Sequence, residues 1–388
     1  MKLIFFTHPA FVNSLSMPRF ASMLVNGMAE RGHSTEIWTA QPNVYKLPVP
    51  KSAKKWLGYV DQYIVFPKEV KEKLKNCSSD TLFVFADQAL GMWVPLVADR
   101  PHVIHCHDFL AQRSALGEIP QNPVQWSGKK YQDLIRKGYQ QGRNFIVSSS
   151  NTLKDLKRFV GNERRFEIVY NGLNQSFTKI DASEARQYIG ERTGLDLNPG
   201  YLLHVGGNQW YKNRIGVIEL YDAWREITSQ KLPLLLVGPT PSRSLADRRE
   251  KSKYKNDIIV LSGKDNDFVR YAYQGATVFL FPSLSEGFGW PVAEAMACGC
   301  PVVTSAEEPM SEVAGEAGFL IPLRPFDDEQ ARGWAATSAK TIDKVINFSD
   351  ADRQMAVDAG LLNAKRFDTH KALNRIEDIY KEILSTAK

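Results

Sequence analysis

The stretch TVFLFPSLSEGFGWPVAEAMACGCPVVT, residues 277–304, reads as strand, loop, helix and strand in turn. Thr277–Phe281 has the β-branched and aromatic run of a buried strand, and Pro282-Ser283 turns the chain. A glycine-bearing loop, Glu286–Trp290, follows. Pro291 suits the first position of a short helix, Gly299 its end, and Pro301–Thr304 begins the next strand. Such a junction presents orphan backbone N–H groups and a partial positive charge, which suits a phosphate. The paired acids Glu286 and Glu294 would repel phosphate, but a carboxylate can accept two hydrogen bonds from a vicinal diol. Glu286 is therefore expected to grip a hexose and Glu294, in the first helical turn, a ribose. The competing reading is that Glu294 only complements the helix dipole and Glu286 caps the turn.

Outward from this segment, apolar strand-like runs alternate with amphipathic stretches, the pattern of parallel sheets with crossover helices. Before it the expected strands are Lys2–Phe6, Ser34–Trp38, Leu82–Ala86, His102–His105, Asn144–Val147 and Glu167–Tyr170. A second series comprises Tyr201–Val205, Leu234–Val237, Ile258–Leu261, Thr277–Phe281, Pro301–Thr304 and Phe319–Ile321. A helix is expected from Pro18 to Arg31, and 174–200 reads as a linker with a leading helix. The expected architecture is α/β: two doubly wound, Rossmann-like domains facing across a cleft, with ligands at the carboxyl ends of their strands.

A chain of 388 residues suits two such domains. It contains no apolar run long enough to span a bilayer, and its N-terminus reads as a core strand rather than a signal peptide. Cys77, Cys106, Cys298 and Cys300 lack zinc-type spacing and read as free thiols of a reducing cytoplasm. Residues 1–175 hold 23 Lys and Arg against 14 Asp and Glu, whereas the remainder holds 26 against 29, so the first half should attract anionic partners.

The E-x7-E pair within EGFGWPVAEAMACGCPVV resembles the signature of glycosyltransferase family 4, retaining enzymes of the GT-B fold. The resemblance implies that Glu286 contacts the donor hexose and Glu294 the nucleotide ribose, with Gly287, Phe288, Gly289 and Trp290 lining the donor. YLLHVGGNQWYKNR, residues 201–214, resembles the strand and loop that supply basic residues to the donor diphosphate. Lys212 matches the family lysine, but Gly207 stands where an arginine is common. Either Lys212 acts with the helix N-terminus alone or Arg214 takes part; Asn208 and Lys264 join the implied donor set. VIHCHDFLA, residues 103–111, resembles the family's H-x-H-D/E segment, making His107 the active-site histidine with Asp108 beside it. His105 reads instead as a satisfied core histidine. Arg19 matches a phosphate- and acceptor-contacting arginine, while Leu15-Ser16 replaces the usual glycines; Ser16 still offers a hydroxyl to the donor. Arg19, Asp108 and Arg113 form the implied acceptor set, and His107, Lys212 and Glu286 the catalytic set.

The implied activity is transfer of a sugar from a nucleotide-diphosphate sugar to a hydroxyl acceptor, in surface polysaccharide or glycoconjugate synthesis. No cofactor or metal is expected, and no nucleic-acid partner. The implied domains are an acceptor-binding one over 1–175 and a nucleotide-sugar-binding one over 176–365. A terminal helix, 366–388, would return to the first. A sugar phosphorylase of the same fold and an inert sugar-nucleotide-binding subunit are the competing classes. Asp265-Asn266-Asp267 resembles a metal-binding DxD but falls where a loop and helix start are expected. Asn171-Gly172 is either the close of the first domain or a plain turn. Residues 51–75 carry seven lysines among aromatics, suiting either peripheral contact with an anionic membrane or an ordinary solvated face.

Overall fold

In the computed structural model, which describes residues 1–11, 16–173 and 177–386 apart from the side chains of Ser16 and Lys51, the chain divides into two units. One is Met1–Asn174 with Thr369–Lys388; the other is Gln175–Asp368. The first carries a six-stranded sheet of β1 (Lys2–Phe6), β2 (Ser34–Trp38), β3 (Thr81–Phe85), β4 (His102–Cys106), β5 (Asn144–Val147) and β6 (Arg165–Ile168). All pairs are parallel, in the order β2-β1-β3-β4-β5-β6. The inner strands β1, β3, β4 and β5 are almost wholly buried, which is why they read as unbroken apolar runs. Phe6, Trp38, Phe66, Phe83, Phe85 and Trp93 pack on one face of the sheet through stacked, edge-on and tilted ring contacts.

The second unit carries β7 (Leu202–Val205), β8 (Leu234–Gly238), β9 (Ile258–Ser262), β10 (Val278–Phe281), β11 (Val302–Ser305) and β12 (Phe319–Ile321). Its order is β12-β11-β10-β7-β8-β9, again all parallel. The chain winds outward from β7 to β9, then returns to the other side of β7. The strand order therefore reverses between β7 and β10, the kind of point at which open α/β sheets bind ligands, beyond the carboxyl ends of the strands.

Most expected strands lie where the apolar runs placed them. The last strand of the first unit does not: it spans Arg165–Ile168, two residues earlier than Glu167–Tyr170. Being an edge strand, half-exposed on both faces, it lacks the continuous apolar run that marks its neighbours. The first helix runs Ser16–Glu30, and a helix over Ala182–Thr193 opens with Asp181 accepting from Ser183 N. The terminal helix, Thr369–Thr386, belongs to the first unit. Its Tyr380 hydroxyl meets His105 Nε2 at 2.7 Å, and Glu377 takes His33 Nε2 at 3.0 Å.

Candidate active site

In the second unit, the loops after β7 and β10 meet at the point of reversal. Leu284 N donates to Tyr211 O at 2.7 Å, and Asn213 Nδ2 donates to Pro282 O at 2.8 Å. Asn213 holds a left-handed conformation, φ 51°, in which its side chain also accepts from Gly216 N and opens the helix Arg214–Ile227. This fixes the preceding residue, Lys212. Its Nζ lies 2.9 Å from Glu286 Oε1 and 3.1 Å from Oε2, although 74 residues separate the two in sequence. Ser283 Oγ donates to the same carboxylate at 2.9 Å, and the ammonium lies 5.1 Å from the Phe281 ring centre. Both side chains are largely buried, 15% and 8% exposed, so the pair sits where electrostatic interactions are weakly screened.

Beyond Glu286 the backbone turns at Gly289, φ 98°, a conformation that a side chain would strain, and the helix Trp290–Ala297 begins. Glu294 therefore lies in the second turn rather than the first, where the helix dipole acts on it less strongly. Its carboxylate accepts from the Tyr273 hydroxyl at 3.0 Å. Trp290 is half-exposed at the helix start, and Lys264 is exposed beside Phe268. Asp265 accepts from Phe268 N at 2.7 Å, so the DND segment opens a helix. Asn208, exposed, accepts from Arg214 Nη1 at 2.7 Å and donates to Thr240 O. Arg214 is buried, 4% exposed.

In the first unit, His107 follows β4 and is buried. Its Nε2 donates to Ala86 O at 2.9 Å, its backbone N–H to Gln88 Oε1 at 2.8 Å, and Phe20 meets its ring edge-on. Burial lowers its pKa, against the neighbouring Asp87 charge, which raises it. With the proton held on Nε2, the neutral ring leaves Nδ1 as a lone-pair acceptor. Asp87, two residues after the end of β3, takes His8 Nε2 at 2.8 Å and Ala89 N at 2.9 Å. Burial opposes its ionisation, but the His8 hydrogen bond and charge outweigh this and hold its pKa below the usual carboxylate value.

Sequence reasoning misses the His8–Asp87–Gln88 group, yet a signal is present: Asp87-Gln88 is a polar pair directly after the apolar run Leu82–Ala86. Asp108 Oδ1 accepts from Leu110 N, while Gln88 Nε2 donates to the Asp108 carbonyl. Arg113 stands in an ion cluster with Glu118 and Asp155 that also holds Arg158. Arg19 is exposed. The side chain of Ser16, and Leu15 altogether, lie outside the described residues. His105 is buried and paired with Tyr380, as a core histidine should be.

Two family models match this chain: Glycosyltransferase Family 4 over residues 17–177 and Glycosyl transferases group 1 over residues 199–336. Between them they take in most of both units. The chain is a family 4 glycosyltransferase. This glycosyltransferase is 30% identical over 184 residues to the O-antigen chain mannosyltransferase B of Escherichia coli, covering 47% of this chain and 46% of that protein. The chain thus spans about half the length of that relative. It is 22% identical over 384 residues to the N-acetyl-alpha-D-glucosaminyl L-malate synthase of Bacillus anthracis, covering 93% and 92%. Among solved structures it resembles Anabaena HepE in complex with UDP and glucose, with a TM-score of 0.68 and 16% identity over 98% and 100% of the two chains. The fold of the glycosyltransferase is GT-B.

Proposed function

We propose that this glycosyltransferase takes its sugar from a nucleotide-diphosphate sugar, held by the second unit, and passes it to a hydroxyl of a glycan or lipid-linked glycan with retention of configuration. The observation that carries this reading is the buried Lys212–Glu286 pair at the point of strand reversal. A departing nucleoside diphosphate gains negative charge as the bond from the sugar's anomeric carbon to phosphate oxygen breaks. Lys212, already desolvated, meets that charge without reorganising. When the diphosphate takes the ammonium, the Glu286 carboxylate is released to accept hydroxyls of the hexose. Glu294, steadied by Tyr273, serves the ribose diol. We assign His107 to a sugar hydroxyl through its Nδ1 acceptor. The acceptor oxygen bonds the anomeric carbon on the face the diphosphate leaves, and its proton passes to the departing diphosphate oxygen. The reading needs no metal, so turnover should persist in excess EDTA.

The relatives favour surface-glycan chemistry: the first is named for O-antigen chain mannosyl transfer. Thermal denaturation against UDP, GDP, ADP, CDP and dTDP tests the donor reading directly. A nucleotide at 100 times its dissociation constant should stabilise the protein by about 2.7 kcal/mol, and a response to none of the five sinks it.

A lipid-linked acceptor is favoured by one surface of the first unit. The helices Lys51–Val60 and Phe66–Leu74, joined by a π-turn, expose Trp56 at 62% and Ile64. Tyr59 and Tyr63 pack on Tyr131 of the helix Trp126–Tyr139, whose Trp126 is 74% exposed with Lys130 against it. Lys55 and Lys68 are also exposed, but Lys54 is engaged by the carbonyls of Tyr45 and Leu47, so only part of the basic run is available. Aromatic and basic side chains together suit an anionic bilayer surface. Sedimentation with phosphatidylglycerol vesicles, but not phosphatidylcholine vesicles, is expected; loss of neither binding nor selectivity in Trp56→Ser/Trp126→Ser would reject this surface. Among the described residues, no helix is long and apolar enough to cross a membrane.

A further inference from the structure

Arg214 is the first residue of the helix Arg214–Ile227 and is only 4% exposed, yet no carboxylate pairs with it among the described residues. Nη1 donates to Asn208 Oδ1 at 2.7 Å and more weakly to Pro239 O at 3.3 Å. Nε and Nη2 are buried and have no partner. Burial alone acts on its ionisation, pulling its pKa below the usual arginine value. A guanidinium remains charged nonetheless, and an uncompensated buried charge is costly to the unliganded fold. Such a group persists where something outside the chain supplies the counter-charge.

The surroundings fit an anion. Backbone from the carboxyl ends of β7 and β8 lies beside the guanidinium: a Cβ on Gly238 would meet Gly206 O at 2.2 Å and Arg214 Cζ at 3.9 Å, so only glycine fits there. His204, wholly buried on β7, donates Nδ1–H to Leu280 O. Burial first, and then the charges of Arg214 and Lys212, hold its pKa at about 3, so the ring is neutral and no third cation crowds the site. Lys212 is paired with Glu286, two positions before Arg214. Gly207 leaves the turn above without a basic side chain, in the place where the family resemblance implies an arginine.

We infer that Arg214 is the second cation of the donor-diphosphate site, reaching it from the helix that follows Lys212, and that the diphosphate itself is its missing counter-ion. Nε and Nη2 form the edge of a planar fork matched to two phosphate oxygens, and because both atoms are buried in the unliganded fold, binding requires the loop after β7 to uncover them. Asn208 holds the other edge, which makes it a positioning residue. This inference rests on the nucleotide-sugar reading proposed above and adds to it which side chain replaces the absent loop arginine.

The test uses the full chain and calorimetric titration with UDP, GDP, ADP, CDP and dTDP, each beside its monophosphate. For the diphosphate that binds wild type most tightly, Arg214→Met should weaken binding by about 30-fold or more. The diphosphate-to-monophosphate affinity ratio should fall with it, because the lost contact is to a charge the monophosphate lacks. Arg214→Lys should fall between the two, keeping the charge without the fork. The unliganded Arg214→Met protein should unfold at the wild-type temperature or above, since a buried unpaired charge has been removed. Diphosphate binding within about twofold of wild type in Arg214→Met overturns the inference and leaves the donor reading standing. So does a lowered unfolding temperature with an unchanged diphosphate-to-monophosphate ratio, which would make Arg214 a packing residue. A wild-type protein that binds none of the diphosphates overturns the donor reading and this inference together.

Discussion

The Lys212–Glu286 pair allows a quantitative test through Lys212→Met, Glu286→Gln and the double variant. Removing Lys212 alone leaves Glu286, 8% exposed, held by the Ser283 hydroxyl at 2.9 Å and without its counter-charge. Breaking one side of a buried pair costs about 3–5 kcal/mol, and the residual exposure of the lysine, 15%, brings the expectation down to about 2–4 kcal/mol. In a unit the size of Gln175–Asp368 that is a fall of roughly 5–12 °C in its unfolding temperature. The double variant retains no unpaired charge, because the neutral amide that replaces the Glu286 carboxylate can still accept from Ser283. Its loss should be smaller than the sum of the singles by about 1.5–3 kcal/mol. Urea unfolding followed by tryptophan fluorescence reads this, Trp224 and Trp334 being buried in the same unit. All three variants should lose at least about 100-fold in turnover, since removing a single preorganised charge-stabilising group has effects of that order. Stability losses that add within about 0.5 kcal/mol would refute the coupling. Lys212→Met turnover within about tenfold of wild type would refute the leaving-group role.

Tyr273→Phe removes the hydroxyl that donates to Glu294 at 3.0 Å; donor KM should rise about 3- to 10-fold with kcat nearly unchanged, read from steady-state kinetics. Asn213→Gly keeps the left-handed turn but loses the bonds to Gly216 N and Pro282 O, and should destabilise the second unit by about 1–2 kcal/mol in urea titration. Buried His105 and His204 both have pKa values lowered from 6.5 to about 3, first by burial. The unfolded chain therefore takes up these protons first, so their stabilisation is whole above about pH 6.5 and is lost as pH falls towards 3. His105→Gln should reduce the slope of stability against pH in that window by about 1.4 kcal/mol per pH unit.

Much of the fold is readable because inner parallel strands are buried on both faces and announce themselves as continuous apolar runs. Lys2–Phe6, Asn144–Val147 and Phe319–Ile321 have the expected bounds. Elements without that signal are harder: β6 is a half-exposed edge, and Lys51–Leu74 hides a long helical stretch behind charge. At the candidate site, motif spacing identifies residues but not their companions. Lys212 and Glu286 are each visible, but their contact arises from the adjacency of β7 and β10, which no local pattern encodes. The same holds for Asp87 beside His107, made neighbours by β3 and β4, and for Tyr273 under Glu294. The position of Glu294 in its helix escapes the sequence because Gly289, rather than a capping side chain, sets the helix start.

The second unit is a single uninterrupted segment, while the first is split between Met1–Asn174 and Thr369–Lys388. During synthesis the first sheet emerges early but must wait for its last helix, with His105 lacking Tyr380 and His33 lacking Glu377 until then. Gln175–Asp368 can complete its core meanwhile. The order of emergence from the ribosome is thus the reverse of the order of completion. A fragment ending at Asp368 would be a finished second unit trailing an unfinished first, whereas a fragment of Gln175–Asp368 alone retains every strand of its own sheet.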